Sequence, residues 1–552
     1  MLFQTRLFRG EIPSAAPELL PPEHAALAQN CDLARGTLAP LAGLGAATPL
    51  PHAGDVRRIF LLEGDWLAWT APVSVVRAFA EDTAGRIFIF GDGPAQLTDH
   101  ALATSGAGAT YPNNTLRLGI PAPQTAPVLE LEGEAGEEVA RSSSYVYTLC
   151  APWREGGAAL RESAPSPPTP VVDVADGQSV RVSGFALPVL VGLTVSHIRV
   201  YRTVAGTSGA AYLFVAEIPA TQGAYVDALA EADLPGDALE TEGWDAPPDA
   251  LAGCIATDNG VLVGHAGNTL YVSPARVPYA FPRGENDGSV DYRRFCESEV
   301  MGLGHMGGIV VAATRTRPYL LEGADPASMT LRPLPFMQGC VSGASLVNIP
   351  DGVAYASAEG LFVLRGGSGE CVTRALFTRE QWQELAPQDW CAVLYGGAYL
   401  AFVRGTGAGY RIAFDGSECQ RFALPGAVWG AHVDPQTDTL HLLTEAAGAS
   451  AVQAFKQGAP LTYAWQSRDI VTGIAVTPRA AQVRGDFAAG ESVTFTLIQD
   501  GAEVFAHEVT DDAVFRLPGG ARARRYAIRL EGTALVREVR LGLSVSEVCR
   551  GG

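Results

Sequence analysis

The stretch Gly307-Gly308-Ile309-Val310-Val311-Ala312-Ala313-Thr314, followed by Arg317-Pro318-Tyr319-Leu320-Leu321-Glu322-Gly323, sets the rhythm of the chain. It returns as Gly352-Val353-Ala354-Tyr355-Ala356-Ser357 and Glu359-Gly360-Leu361-Phe362-Val363-Leu364. Each unit is a short β-branched or aromatic run closed by Gly, Asp or Pro, the pattern of antiparallel hairpins. Upstream, 57–62 and 65–69 flank Glu63-Gly64, and 85–90 leads through Gly91-Asp92-Gly93 to 95–97. Residues 260–264 and 268–273 repeat the unit, as do 397–403 with 410–414 and 438–443 with 451–455. A hairpin unit recurring in this way predicts the blades of a β-propeller.

Two segments break the rhythm. Pro121-Ala122-Pro123 opens a linker made acidic by Glu130, Glu132, Glu134, Glu137 and Glu138. Strands at 144–149, 179–182, 197–202 and 212–217 follow, in a strand-only segment the size of a fibronectin type III sandwich. A second Pro-rich linker at 236–248 closes it, so it reads as an insertion. Beyond 461, strands at 492–498, 502–507, 513–516 and 526–530 predict a small terminal sandwich. The clear helical signal is 378–386, with Thr378 as N-cap. The expectation is an all-β chain in four parts. Residues 1–122 form an N-terminal arm and the first part of a β-propeller, and 123–240 an inserted fibronectin III-like β-sandwich. Residues 241–460 form the remainder of the propeller, and 461–552 a C-terminal β-sandwich-like domain.

A chain of 552 residues predicts about three domains. A hydrophobic fraction of 47% supports packed cores, and a charged fraction of 18% lies below the roughly 25% of ordinary globular domains. Low surface charge suits a protein that buries surface in an assembly. The net charge of −20 lies entirely before residue 461 and argues against wrapping nucleic acid by phosphate neutralisation. An acidic wall past which DNA slides is compatible with it. Lys456 is the single lysine. The nine cysteines are widely spaced without a C-x-x-C pair, which predicts buried free thiols and a reducing compartment during folding. Arg6 and Arg9 precede no sustained apolar run, so no signal peptide is expected. The longest apolar run, 185–195, is too short to span a bilayer and contains Pro188 and Gly192. A soluble chain made in the cytoplasm is the expectation.

Catalytic patterns fail on inspection. Gly405-Thr406-Gly407-Ala408-Gly409 precedes a strand and lacks the helix N-terminus that phosphate binding needs, so it predicts a hairpin tip. His507-Glu508 opens like a zinc-protease motif, but Asp511 stands where the second His belongs. Asp434 and Asp438 lack the Gly and distal Glu of a calcium loop and predict a turn. Asn113-Asn114-Thr115 is a glycosylation sequon without meaning unless the chain is secreted. His197 and His441 fall in strand patterns, while His265 and His305 flank Gly and predict turns. Arg522, Arg524, Arg525 and Arg529 form a solvated face or a contact to DNA or an acidic partner. Trp66, Trp69, Trp153 and Trp244 are the aromatics that would mark a glycan-binding surface if exposed, and core packing is the competing reading.

Five segments, in order, resemble the tail nozzle (tail tubular protein B-like) family of short-tailed bacteriophages. They are Ala28-Gln29-Asn30-Cys31-Asp32-Leu33 with Gly36-Thr37-Leu38-Ala39-Pro40-Leu41; Tyr145-Val146-Tyr147-Thr148 with Trp153, Glu155-Gly156 and the 162–168 run; and Ile198-Arg199-Val200-Tyr201-Arg202-Thr203 with 212–218. Pro318-Tyr319-Leu320 with 323–329 comes next, then Ala354-Tyr355-Ala356-Ser357 with Glu359-Gly360-Leu361 and 376–382. They span residues 28–382; the last 90 or so residues carry no part of the likeness. The resemblance implies a propeller assembled as a homohexameric ring below the portal adaptor. The ring would carry tail fibres or spikes, continue the double-stranded DNA channel and close it until ejection. It also implies a virion location, synthesis in the host bacterial cytoplasm, no enzymatic activity, and no catalytic, cofactor-binding or metal residues. The alternatives are a host-surface glycan-binding propeller protein and a propeller glycosidase or lyase, for which no carboxylate pair can be named from spacing.

Overall fold

The computed structural model describes residues 2–550 apart from 53, 80–83, 109, 155, 207, 208, 285–290, 447 and 521; Glu155 of the resemblance therefore lies outside it. The all-β class holds. Among the described residues the α-helices are His100–Ala103, Arg379–Glu384 and Val545–Arg550. The chain divides into two compact units. One comprises Met1–Thr70, Ala313–Pro318 and Leu334–Gly552, the other Ala71–Ala312 and Tyr319–Pro333.

The second unit holds four-stranded antiparallel meanders and a sandwich. The first meander is Ser74–Arg77, Ile87–Phe90, Gln96–Thr98 and Leu116–Arg117. The next is Ala252–Ala256, Leu262–Ala266, Thr269–Val272 and Arg294–Phe295. A third follows as Val300–Met306, Ile309–Thr314, Pro318–Glu322 and Thr330–Pro333. Successive meanders pack face to face, and the pleat sorts residues between the layers. Leu262 shares a core with Phe88, Phe90 and Leu97. Its neighbours Val261 and Val263 join Val310, Ala312 and Leu321 in the next core. A strand buried on both faces must be apolar at every position, which explains the unbroken runs that open the chain's rhythm.

Between the first two meanders sits a two-sheet sandwich. Val128–Glu132, Ser179–Ser183 and Ala224–Asp227 make one sheet; Leu160–Glu162, Tyr145–Pro152, His197–Gly206 and Gly209–Pro219 make the other. Tyr147, Leu149, Ile198 and Val200 meet Val180 and Val182 in a shared core. The segment expected to be an acidic linker is partly a strand. Glu130 and Glu132 stand on Val128–Glu132, 3.8 and 3.7 Å from Arg181 on the neighbouring strand. Their alternation with Val128, Leu129 and Leu131 is the strand signal that acidity masked. Asp227, fully buried, accepts from the Tyr145 hydroxyl (2.8 Å) and from Arg202, with Arg141 at 3.6 Å.

The first unit continues the meanders with Val347–Ile349, Gly352–Ala356, Leu361–Arg365 and Ser368–Cys371. Trp390–Tyr395, Ala398–Val403, Thr406–Ile412 and the start of Cys419–Asp434 form the next. The far half of that long strand pairs with Thr439–Ala446, then Ala449–Ala454, and Thr48–Pro49 completes the sheet. Sorting by pleat recurs. Tyr399 and Ala401 face Leu361 and Val363, while Leu400 and Phe402 face Leu440 and Leu442. Leu443 packs with Ile59 and Ala68 of the hairpin Arg58–Leu62/Asp65–Trp69. Glu63 and Gly64, at φ 49° and 98°, supply the tight two-residue turn that this hairpin needs.

The C-terminal residues of this unit form a sandwich that draws on the N-terminus. Phe3–Thr5 pairs with Leu535–Gly542, and Ala25–Gln29 with Tyr463–Ser467. Phe3, Phe8, Ala25 and Ala28 are buried with Trp465, Phe495 and Ile528. Tyr463–Ser467, Ala480–Asp486 and Leu535–Gly542 lie outside the strands read from the sequence. The helix Arg379–Glu384 starts where expected, with Thr378 and Gln381 closing a capping box. Its Trp382 packs edge-on against Trp390, with ring centroids 5.0 Å apart.

Candidate interaction site

Of the four candidate tryptophans, Trp66, Trp153 and Trp244 are half-buried, and Trp244 lies on a segment outside the strands. Trp69 is buried, and Trp66 packs against His441 and His432 at 4.9 and 5.8 Å between ring centroids. Trp153 lies between Arg86 and Arg161, at 4.6 and 5.4 Å, and edge-on to Tyr279. His265 and His305, expected in turns, stand in the strands Leu262–Ala266 and Val300–Met306; the turn after His265 falls at Gly267, φ 60°. His507 lies on the strand Ala502–Val509 against Phe515. Asp434 accepts from the Gln436 amide and the Thr437 hydroxyl, as a turn residue does. Of the Gly-rich stretch expected to be a hairpin tip, Gly405 lies in the turn after Ala398–Val403, while Thr406 to Gly409 already belong to the strand Thr406–Ile412 and pair with Cys419–Asp434. The cysteines are free thiols; Cys371 is half-buried, Cys549 exposed and the other seven buried. Arg522 and Arg524 are solvated, and Arg525 and Arg529 pair with Asp469 (3.3 Å) and Glu503 (2.8 Å). Among the described residues, no group of three His, Cys, Asp or Glu is placed to hold a metal ion. No helix among them is long and apolar enough to cross a membrane.

One concavity in the second unit collects polar chemistry. It is a cleft of about 600 Å³ lined by residues of the four-stranded sandwich sheet, by residues 236–244 and by Tyr279. The strands sort inward and outward: Ile198 and Val200 fill the sandwich core, so Arg199 and Tyr201 face the other way. Glu162 is fully committed. One carboxylate oxygen accepts from Thr148 (2.6 Å) and Tyr201 (2.7 Å), and the other from Arg199 (2.5 Å). The Arg199 Nε donates to Glu217 at 2.8 Å, across the strand pair that sets the two opposite each other. Burial alone would lower the pKa of Arg199; the contacts to Glu217 and Glu162 raise it. Asp237 and Glu240 are exposed at the cleft and bring two more carboxylates. Trp244 and Tyr279 meet edge-to-face at 5.9 Å, as do Tyr201 and Phe214 at 5.8 Å. Burial pushes the Tyr279 phenol up to about 12. Thr241, 3% exposed, lines the cleft, and its hydroxyl has no hydrogen-bond partner among the described residues. Arg199 thus holds both inner carboxylates of the cleft.

A second surface is apolar. The loop between Ser179–Ser183 and His197–Gly206 carries Leu187, Val189, Leu190 and Val191, and Val189 and Val191 are 99% and 98% exposed. These residues are the middle of the longest apolar run of the sequence, whose flanks Phe185, Leu193 and Val195 pack on the sandwich core.

No protein-family model matches the chain, and no curated protein does. Among solved structures, three matches illustrate distant likeness. The extracellular domain of a hybrid two-component system from B. thetaiotaomicron is 10% identical with a TM-score of 0.29, over 86% of this chain and 47% of that one. This chain thus spans about half the length of that protein. The Cps50 (Swd1) β-propeller domain of Myceliophteria thermophila is 9% identical with a TM-score of 0.24, over 46% and 92%. The exo-β-1,3-galactanase of Phanerochaete chrysosporium is 9% identical with a TM-score of 0.19, over 90% and 99%. At these scores the likenesses carry no argument about function.

Proposed function

We propose that this chain is a structural subunit of the tail nozzle of a short-tailed bacteriophage. It assembles into a ring, six-fold by the family resemblance, below the adaptor that joins portal to tail. The ring continues the DNA channel, retains the genome and releases it at ejection, and tail fibres or spikes attach to it. In this reading the meanders are propeller blades, with Thr48–Pro49 closing one from the N-terminal side, and the sandwich of residues 128–227 is the inserted fibronectin III-like domain. The observation that carries the reading is the face-to-face stacking of four-stranded meanders, interrupted after the first of them by a sandwich. The resemblance implies a propeller, and the strand pattern of the sequence predicts the sandwich as an insertion into it. The exposed Val189 and Val191 serve as a contact to a neighbouring subunit or to the adaptor, since a monomer gains nothing by keeping them in water. A balance of −20 lets duplex DNA pass without sticking to the wall. The role is mechanical, so no catalytic, cofactor or metal residue is assigned.

Native mass spectrometry of the purified chain, alone and with the adaptor from the same genome, tests the assembly. A closed multiple of the monomer mass in either sample supports the proposal; monomer alone in both contradicts it. The glycan-binding reading has less support: Trp69 is buried and Trp66 and Trp153 have packed neighbours, which leaves Trp244 as the candidate in a cleft wall.

A further inference from the structure

We infer that Arg58 and Arg404 form a binding site for a phosphate group, taken from a nucleic-acid backbone or free in solution. The fold leaves one set-in charge unanswered. Arg58 opens the strand Arg58–Leu62 and is half-buried. Its Nε is sealed from solvent without a hydrogen-bond partner, while its two Nη atoms are not sealed. Among the described residues, no carboxylate, carbonyl or aromatic ring takes this guanidinium. The fully buried arginines are answered: Arg202 by Asp227, Arg540 by Glu538, and Arg161 by the carbonyls of Arg117, Leu118 and Pro152. Burial lowers the pKa of Arg58, and no carboxylate acts against it. A charge set into a protein without a counter-charge is costly. A chain with 59 acidic residues places none here, so the counter-ion comes from outside.

The backbone brings a second guanidinium to the same place. Arg57 lies over Trp429 at 4.8 Å, and a Cβ on Gly405 would stand 3.1 Å from the same ring. Arg58 follows the first of these residues and Arg404 precedes the second. Both also act on the buried Cys391 thiol. Arg404 is exposed, and its Nε donates to the Asp389 carbonyl at 3.2 Å, not to a carboxylate. Arg57 has Asp55 at 3.6 Å, itself 91% exposed. Two guanidinium charges with no carboxylate between them match the charge of a phosphate, and their N–H forks fit its oxygens. A single carboxylate would leave one charge over. The inference stands whether or not the chain forms a ring.

The test is isothermal titration calorimetry on the full chain at fixed ionic strength, with inorganic phosphate as probe and acetate as control. Saturable phosphate binding is expected, with acetate about tenfold weaker. Arg404→Gln, at an exposed position, and Arg58→Met are each expected to lose about tenfold in phosphate affinity. In phosphate-free buffer Arg58→Met is expected to melt above wild type, because it removes a charge that has no partner. Added phosphate is expected to raise the melting temperature of wild type and to leave Arg58→Met unchanged. A short oligonucleotide that binds more tightly than inorganic phosphate, and loses affinity in both variants, assigns the site to a nucleic-acid backbone. Phosphate binding without oligonucleotide binding assigns it to free phosphate. Absence of phosphate binding overturns the inference, as does equal binding of acetate or a phosphate affinity indifferent to both substitutions. Arg58→Met melting below wild type without phosphate also overturns it and makes Arg58 part of the fold.

Discussion

At the scale of single residues, the protein's buried charges are structural joints. Asp227 is fully buried and holds Arg202, itself 1% exposed, together with Arg141 and the Tyr145 hydroxyl. Replacing Asp227 with Ala leaves a buried guanidinium without its counter-charge. The expected loss is about 3–5 kcal/mol, read by chemical denaturation. Glu538 is a second joint, taking Arg540 (2.9 Å), Arg6 (2.7 Å) and Gln4 (2.6 Å). Burial would raise its pKa, but these hydrogen bonds outweigh burial and hold it at about 2. A folded pKa below the unfolded value of 4.5 means the contribution is complete above about pH 4.5 and disappears as pH falls toward 2. Glu538→Gln is therefore expected to be less stable than wild type at neutral pH. The two should converge over that acid window in pH-dependent unfolding. Little of the cleft was legible in the sequence. Arg199 and Glu217 lie in strands the sequence shows plainly, but a linear reading does not show that pairing sets them opposite each other, or that Trp244 and Tyr279 reach the same place. Conversely, the four tryptophans singled out as candidates are mostly packed, because an aromatic beside apolar strand residues is drawn to a core.

At the scale of elements, what reads best is what local chemistry decides. Thr378 with Gln381 three residues on specifies a helix start, and the structure builds that capping box. Thr378→Ala is expected to cost about 1 kcal/mol, measurable as a small drop in melting temperature. The meander strands were legible because burial on both faces demands unbroken apolar runs. Strands such as Phe3–Thr5, Ala25–Gln29 and Leu535–Gly542 were not, because they are held by pairing between the two ends of the chain. Ala25-Ala26-Leu27-Ala28-Gln29 has low strand propensity, and the partner Tyr463–Ser467 is what makes it a strand. The loop carrying Val189 and Val191 is the element whose chemistry least suits a lone molecule in water. Val189→Asp/Val191→Asp is expected to abolish assembly in sedimentation analysis with an unchanged melting temperature. A fall in melting temperature without loss of assembly would make the loop part of the fold.

At the scale of the whole molecule, the chain is a series of four-stranded meanders with one sandwich inserted and another built from both termini. Low charge density, a net −20 and an exposed apolar loop are the features on which we propose an assembly past which nucleic acid moves without being gripped. The subunit number and channel lining of the proposed ring are not legible in the sequence, since a ring would be made by contacts that one chain does not contain. The direct test is electron microscopy of the purified chain, alone and mixed with the adaptor from the same genome. The account predicts closed rings with a central pore about as wide as duplex DNA. Separate compact particles in both samples at high concentration would contradict it.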